Sequence, residues 1–249
     1  MKPKLKAMLL AGCALVAFAF AFFPPQAAKA SLVELTTRPA TGDTVYWNQL
    51  GTPSLTLTGP QSFTIDGIKG TVSSTGPVSL WQQCCIGITG NFYGDFAPGD
   101  IVLVSTFPGS INFMSSPLTI TFKNAVQAVG AQIQDNGQGD VFTAQIQAFH
   151  HNQLLGTFTE TGFSGAAGNN SDIFLGVEDT KDDITRVVYE ILSNSSGVTQ
   201  PVAINQMSVV VDPVVPIPAA LPLFATGLGA LGLLGWRRKR KNASAITPA

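Results

Sequence analysis

In three stretches between residues 129 and 191, apolar residues recur at every second position, and no stretch between the chain's two ends repeats them at helical spacing. Phe142, Ala144, Ile146 and Ala148 alternate with Thr143, Gln145 and Gln147. Val129, Ala131 and Ile133 alternate with Gln132 and Gln134, and Val187, Tyr189 and Ile191 stand against Arg186 and Glu190. Successive side chains of a strand point to opposite faces, so this period builds strands with one buried face. Further strands are expected at 44–48, 54–57, 62–65, 78–82, 101–106, 118–122, 154–159, 172–177 and 203–211. Gly59-Pro60, Asp66-Gly67, Gly76-Pro77, Pro98-Gly99, Pro108-Gly109 and Asn136-Gly137 punctuate them as turns. Short strands at this density predict an all-β fold of two packed antiparallel sheets, a β-sandwich of jelly-roll type.

The two ends read differently. Lys2, Lys4 and Lys6 precede an apolar run over 7–23, and Ala28 and Ala30 supply the small residues of a cleavage site before Ser31. This is the pattern of a secretory signal peptide over 1–30, which implies passage through the Sec translocon and cutting by signal peptidase. Cys13 follows Leu-Ala-Gly as in a lipoprotein signal, but the apolar run continues past it, so peptidase cleavage is the reading adopted.

At the other end, Val215-Pro216-Ile217-Pro218 leads into an uncharged apolar stretch ending at Trp236. Arg237, Arg238, Lys239, Arg240 and Lys241 follow directly. As a helix, the 18 residues 219–236 span about 27 Å, close to a hydrocarbon core. Five adjacent cations stay on the cytoplasmic side, so this segment and the N-terminal one agree on topology, with everything between them outside. The chain thus divides into 1–30 (signal peptide), 31–212 (ectodomain), 213–241 (Pro-X-Pro motif, transmembrane helix and basic cluster) and 242–249 (short cytoplasmic tail).

This tripartite tail resembles the PEP-CTERM sorting signal of exopolysaccharide-associated bacterial envelope proteins. Val215, Pro216, Ile217 and Pro218 occupy the motif, with Ile217 where the family's namesake has Glu. The resemblance implies transit through the inner membrane, processing by an exosortase, and a destination at the cell surface or in extracellular matrix, in association with exopolysaccharide or biofilm. The strand-rich stretch 118–177 also resembles the lectin-like β-sandwich ectodomains often carried by such proteins.

Charge narrows the partners. All 15 acidic residues lie in 34–212, where only Arg38, Lys69, Lys123, Lys181 and Arg186 oppose them. So acidic a domain excludes nucleic acid, which needs basic surface, and admits divalent cations and neutral or cationic glycans.

Chemistry-bearing residues are few. Cys84 and Cys85 are adjacent, and neighbouring Cα atoms lie about 3.8 Å apart, closer than in ordinary disulfides. A tight vicinal ring, an intermolecular bridge and two free thiols are the three readings. Asp135, Asn136 and Asp140 bracket a Gly-containing turn whose hard oxygens suit calcium, and a solvated hairpin is the simpler alternative. The acidic run 178–183 is read the same way. His150 and His151 are read as strand-end or loop residues, and as strand neighbours they are expected to point to opposite faces. No Gly-X-Ser-X-Gly, His-Glu-X-X-His or Glu-X-Asp-X-X-Glu pattern is present, so the chain is read as non-catalytic. Tyr46, Trp47, Trp81, Phe92, Tyr93, Phe96 and Phe163 lie in or beside predicted turns; they are candidates for stacking on sugars, and the plainer alternative is that most of them close the ends of the core. Two function classes follow: a matrix or envelope scaffold without its own ligand, and a carbohydrate-binding module with the same address. A glycan-active hydrolase is a distant third.

Overall fold

Alternation in the sequence becomes strands throughout the computed structural model, which describes residues 32–84, 91–105, 116–137, 139–181, 183–197 and 201–211. The strands are β1 (Leu32–Leu35), β2 (Asp43–Val45), β3 (Thr56–Leu57), β4 (Gln61–Ile65), β5 (Ile68–Ser74), β6 (Val78–Gln83), β7 (Asn91–Phe92) and β8 (Ile101–Ser105). They continue as β9 (Leu118–Val126), β10 (Ala128–Asp135), β11 (Asp140–His150), β12 (Gln153–Ser164), β13 (Ile173–Asp179), β14 (Ile184–Asn194) and β15 (Val202–Val210). Signal peptide, sorting motif, apolar segment, basic cluster and Cys85 lie outside the described residues.

The strands form two sheets. One runs β1-β13-β10-β15-β8-β6-β3, with β2 added on β15 and β7 on β6; the other runs β12-β11-β14-β9-β5-β4. Among the described ladders only the two-residue β6–β7 pair is parallel. Both sheets feed one core. Val45, Leu80, Ile133, Leu175 and Ile204 come from the larger sheet, and Phe63, Val72, Ile120, Ile146 and Tyr189 from the smaller. Fully burying such a side chain contributes about 1.5–3 kcal/mol, which is why register follows the apolar alternation. The expected all-β antiparallel fold is therefore present.

Three local differences have physical causes. The stretch 44–48 was expected to be one strand, but β2 ends at Val45 and a 3-10 turn, Trp47–Leu50, replaces the rest. Trp47 is fully buried there, and its indole N–H donates to the Asn205 carbonyl at 2.5 Å. β5 was not anticipated because Gly70 interrupts its apolar face. The ring of Phe63 fills that gap, and a Cβ on Gly70 would lie 2.4 Å from it. His150 ends β11 and His151 opens the turn to β12 at φ 51°, which brings the two rings to 4.4 Å instead of to opposite faces.

A second, smaller apolar cluster lies on the other face of the larger sheet. Phe92 and Phe96 pack there on Val102, Val104 and Ala203, with Trp81 partly buried alongside. Residues 91–100 are thereby folded back over that sheet, and they form one wall of the site described next.

Candidate functional site

The site begins with an irregularity in β15. Ala131 pairs with Met207 and Ile133 with Ile204, so Asn205 and Gln206 together oppose the single residue Gln132. This is a β-bulge, a device that re-aims side chains at the cost of regular pairing. Here the Asn205 side chain stands in for the lost pairing. Its Oδ1 accepts from the Gln132 backbone N–H at 3.3 Å, and its Nδ2 donates to Gln132 Oε1 at 2.5 Å and to Asp100 Oδ2 at 3.0 Å. Gln132 Nε2 passes the chain on to Asn170 Oδ1 at 3.1 Å. A row of amides thus crosses the outer face of the sheet.

Two buried glutamines fasten the walls to this row. Gln83 Nε2 donates to the Gly94 carbonyl at 2.8 Å, and Gln134 Oε1 accepts from the Asp95 backbone N–H at 2.8 Å. Gln134 Nε2 also donates to the Gly165 carbonyl at 3.0 Å, and Asp95 Oδ1 accepts from the Ala167 N–H at 2.8 Å. These bonds lock residues 165–172 against 91–100. Asn170 adopts a left-handed φ of 62°, which turns the chain just before Asp172.

Between these walls lies a cleft of about 530 Å³. Gln132, Phe174 and Gln206 line it from the sheet, Asn170 and Asp172 from the 165–172 segment, and Arg38 and Glu160 also border it. The ring of Phe174 lies flat because its neighbours are Gly130 and Gly176; a Cβ on Gly130 would come within 2.5 Å of that ring. β1 pairs with β13 only from Gly176 to Asp179, so residues 173–175 have no β1 partner where the cleft opens. A smaller hollow of about 190 Å³, lined by Tyr46 and Asp100, shares Gln206 with the main cleft.

Asp172 is the electrostatic centre. It is 8% exposed, yet neither carboxylate oxygen has a hydrogen-bond partner. Burial, and then the charges of Asp95 and Asp100, push its pKa up to about 8. An ionised carboxylate without donors is costly inside a protein, so this group holds its proton near neutral pH.

Residues singled out from the sequence fall elsewhere. Asp135 is fully buried, and its Oδ1 accepts from the Ser164 hydroxyl and from the Gly137 N–H at 3.2 Å. Its Oδ2 accepts from Asn194 Nδ2 at 3.1 Å, while Asp140 Oδ1 accepts from Ser195 Oγ at 2.9 Å. The Asn136 N–H donates to the Pro201 carbonyl at 3.2 Å. Protein donors already serve these oxygens, as in a structural turn. Burial raises Asp135 to about 6, opposed by the Asn194 and Gly137 bonds. Among the described residues, no three His, Cys, Asp or Glu side chains are grouped to hold a metal. Cys84 is disulfide-bonded and borders a neighbouring cavity of about 380 Å³; its partner lies outside the described residues.

The aromatic set divides. Trp47, Phe92 and Phe96 are buried and belong to the two cores, so they are unavailable for stacking. Tyr46 and Phe163 are 53% and 59% exposed. Only Tyr46 of these two borders the hollow beside the cleft. Sequence reasoning missed Asp172, Gln132, Asn205 and Gln206, whose sole visible trace was a run of polar residues inside otherwise apolar strands.

Fold and cleft together define an all-β protein of two antiparallel sheets with an open, amide-floored, acidic cleft on an outer face. No protein-family model matches the chain, and no curated protein is significantly similar to it.

Proposed function

We propose that this chain is an exported, non-catalytic envelope or extracellular-matrix protein whose lectin-like, jelly-roll sandwich binds polysaccharide at the Asp172 cleft. Its address rests on the tail. The Pro-X-Pro motif, apolar segment and basic cluster of 215–241 support sorting by an exosortase-type system after a signal peptide has carried the domain across the inner membrane. Its molecular role rests on one observation. The Gln132, Asn170 and Gln206 amides line an open cleft beside an exposed tyrosine, and planar amides and an aromatic face are what a sugar's hydroxyls and ring surface engage. This favours a binding module over a scaffold with no ligand of its own.

Glu160 and Asp172 border the same cleft, so hydrolysis is the reading to test against. Full-length protein purified in mild detergent is expected to be retained on exopolysaccharide from its own cells and to release no reducing sugar. Passage through without retention would remove the binding role, and sugar release would make the cleft an active site.

A further inference from the structure

Asp172 poses a specific chemical question. Both of its oxygens are buried and unpartnered, and it borders an open cleft. The charged groups around it are Asp95 and Asp100 from residues 91–100, Glu160 from β12, and Arg38 from the loop after β1. Arg38 is exposed and makes no hydrogen bond to either Asp172 oxygen. Carboxylates therefore outnumber cations at this spot, and a ligand that brings a positive charge would favour the ionised form of Asp172.

Three kinds of ligand can approach a buried carboxylate, and they differ in what they supply. A calcium ion needs six or more oxygen ligands, and the described residues offer no group of three acidic, His or Cys side chains to begin such a shell. Neutral hydroxyls supply donors but leave the charge in place. An ammonium supplies three donors and the missing charge together. Beyond Asp172, the Gln132, Asn170 and Gln206 amides and the Tyr46 ring suit a polyhydroxylated body.

We infer that the Asp172 cleft takes a protonated amino sugar, its ammonium against the two unpartnered Asp172 oxygens and its hydroxyls along the Gln132, Asn170 and Gln206 amides. This rests on the polysaccharide-binding reading above and narrows it to glycans that carry free amines. Burial and the flanking aspartates raise Asp172 to about 8, so its carboxyl is protonated at pH 6.5 before a cation approaches. Entry of the ammonium ionises the carboxyl, and the proton leaves to solvent. Binding and proton release are linked.

The test is isothermal titration calorimetry on the full-length protein in mild detergent at pH 6.5 and 150 mM salt. The probes are a β-linked glucosamine trisaccharide, its fully N-acetylated counterpart and calcium chloride, each in two buffers of different protonation enthalpy. The free-amine sugar is expected to bind at least about tenfold more tightly than the acetylated one and to release close to one proton. Asp172→Asn should abolish both the preference and the release. Asp66→Asn, in the β4–β5 turn, should leave both intact and so separates this site from general attraction to an acidic domain. Thermal unfolding confirms that each variant is folded. Equal binding of the two sugars, a preference that survives Asp172→Asn, or stoichiometric calcium binding lost in Asp172→Asn would each overturn the assignment. Retention on whole exopolysaccharide that is unchanged by Asp172→Asn would overturn it too, while leaving the broader binding role standing. Loss of all retention by the parent protein removes both.

Discussion

A carboxyl that holds its proton near pH 8 in the fold and near 3.8 in the unfolded chain makes stability depend on pH in a definite direction. Between those values the native state binds more protons than the unfolded state. The contribution of Asp172 is therefore fully present below about pH 4 and is lost as pH rises through 8. Asp135, raised to about 6, adds the same sign over the lower half of that window. Denaturant unfolding should show stability falling from pH 4 to pH 8, and Asp172→Asn should flatten the upper half. At pH 8 that variant is expected to be more stable than the parent by about 1–3 kcal/mol, and at pH 4 nearly equal to it. A parent whose stability rises across this range would contradict the buried, unpartnered state of Asp172. Nothing in the sequence marked this residue. Asp172 was read only as the start of a strand, and its character depends on Asp95 and Asp100, which are distant in sequence and brought near by the Gln134 and Gln83 clasps.

Strands and turns carry their own tests. Phe174 can floor the cleft only because Gly130 and Gly176, direct partners on β10 and β13, leave space for its ring. Gly130→Ala places a methyl group 2.5 Å from that ring, so Phe174 must lift into the cleft. Overpacking of this kind costs about 1–3 kcal/mol, and thermal unfolding should show the loss together with weakened polysaccharide retention. Unchanged stability and retention would mean that the ring is not part of the floor.

The edge strands β1 and β12 are guarded differently. Leu32 sits against Gly156 there, and Glu34 is raised in pKa by burial and then by Glu160. Inward-pointing charge on edge strands discourages pairing with a second chain. Replacing Glu34 and Glu160 together by Val should yield larger species in sedimentation velocity at equal concentration. Identical sedimentation of parent and variant would show that these carboxylates do not protect the edge.

At this scale the sequence was most legible where alternation ran uninterrupted. β10, β11, β14 and β15 were visible because buried Val, Ala, Ile and Phe alternate with Gln, Thr and charged residues. β5 was hidden because Gly70 carries its Phe63 contact without a side chain. The bulge in β15 was hidden because two adjacent polar residues, Asn205 and Gln206, do not by themselves show that both face one partner. Trp47, Phe92 and Phe96 close the two cores, one of the two readings the sequence left open, since proximity to a turn does not distinguish a ring that closes a core from one that faces water.

For the molecule as a whole, the separation of charge links destination to chemistry. Cations gather in the two terminal segments, and the domain between them keeps five against fifteen acids. An acidic domain with an acidic cleft accords with the proposed place among neutral or amine-bearing glycans, since phosphate backbones call for basic surface. The proposed address rests on the tail and the proposed contact on the Asp172 cleft, so each half of the proposal can fail separately. The most direct measurement is terminal-peptide mass spectrometry of the protein recovered from the envelope and medium of the cells that make it. Export and sorting predict a chain that begins at Ser31 and ends upstream of Arg237. A recovered chain that keeps Met1, or that still ends in Ala249, would contradict the account.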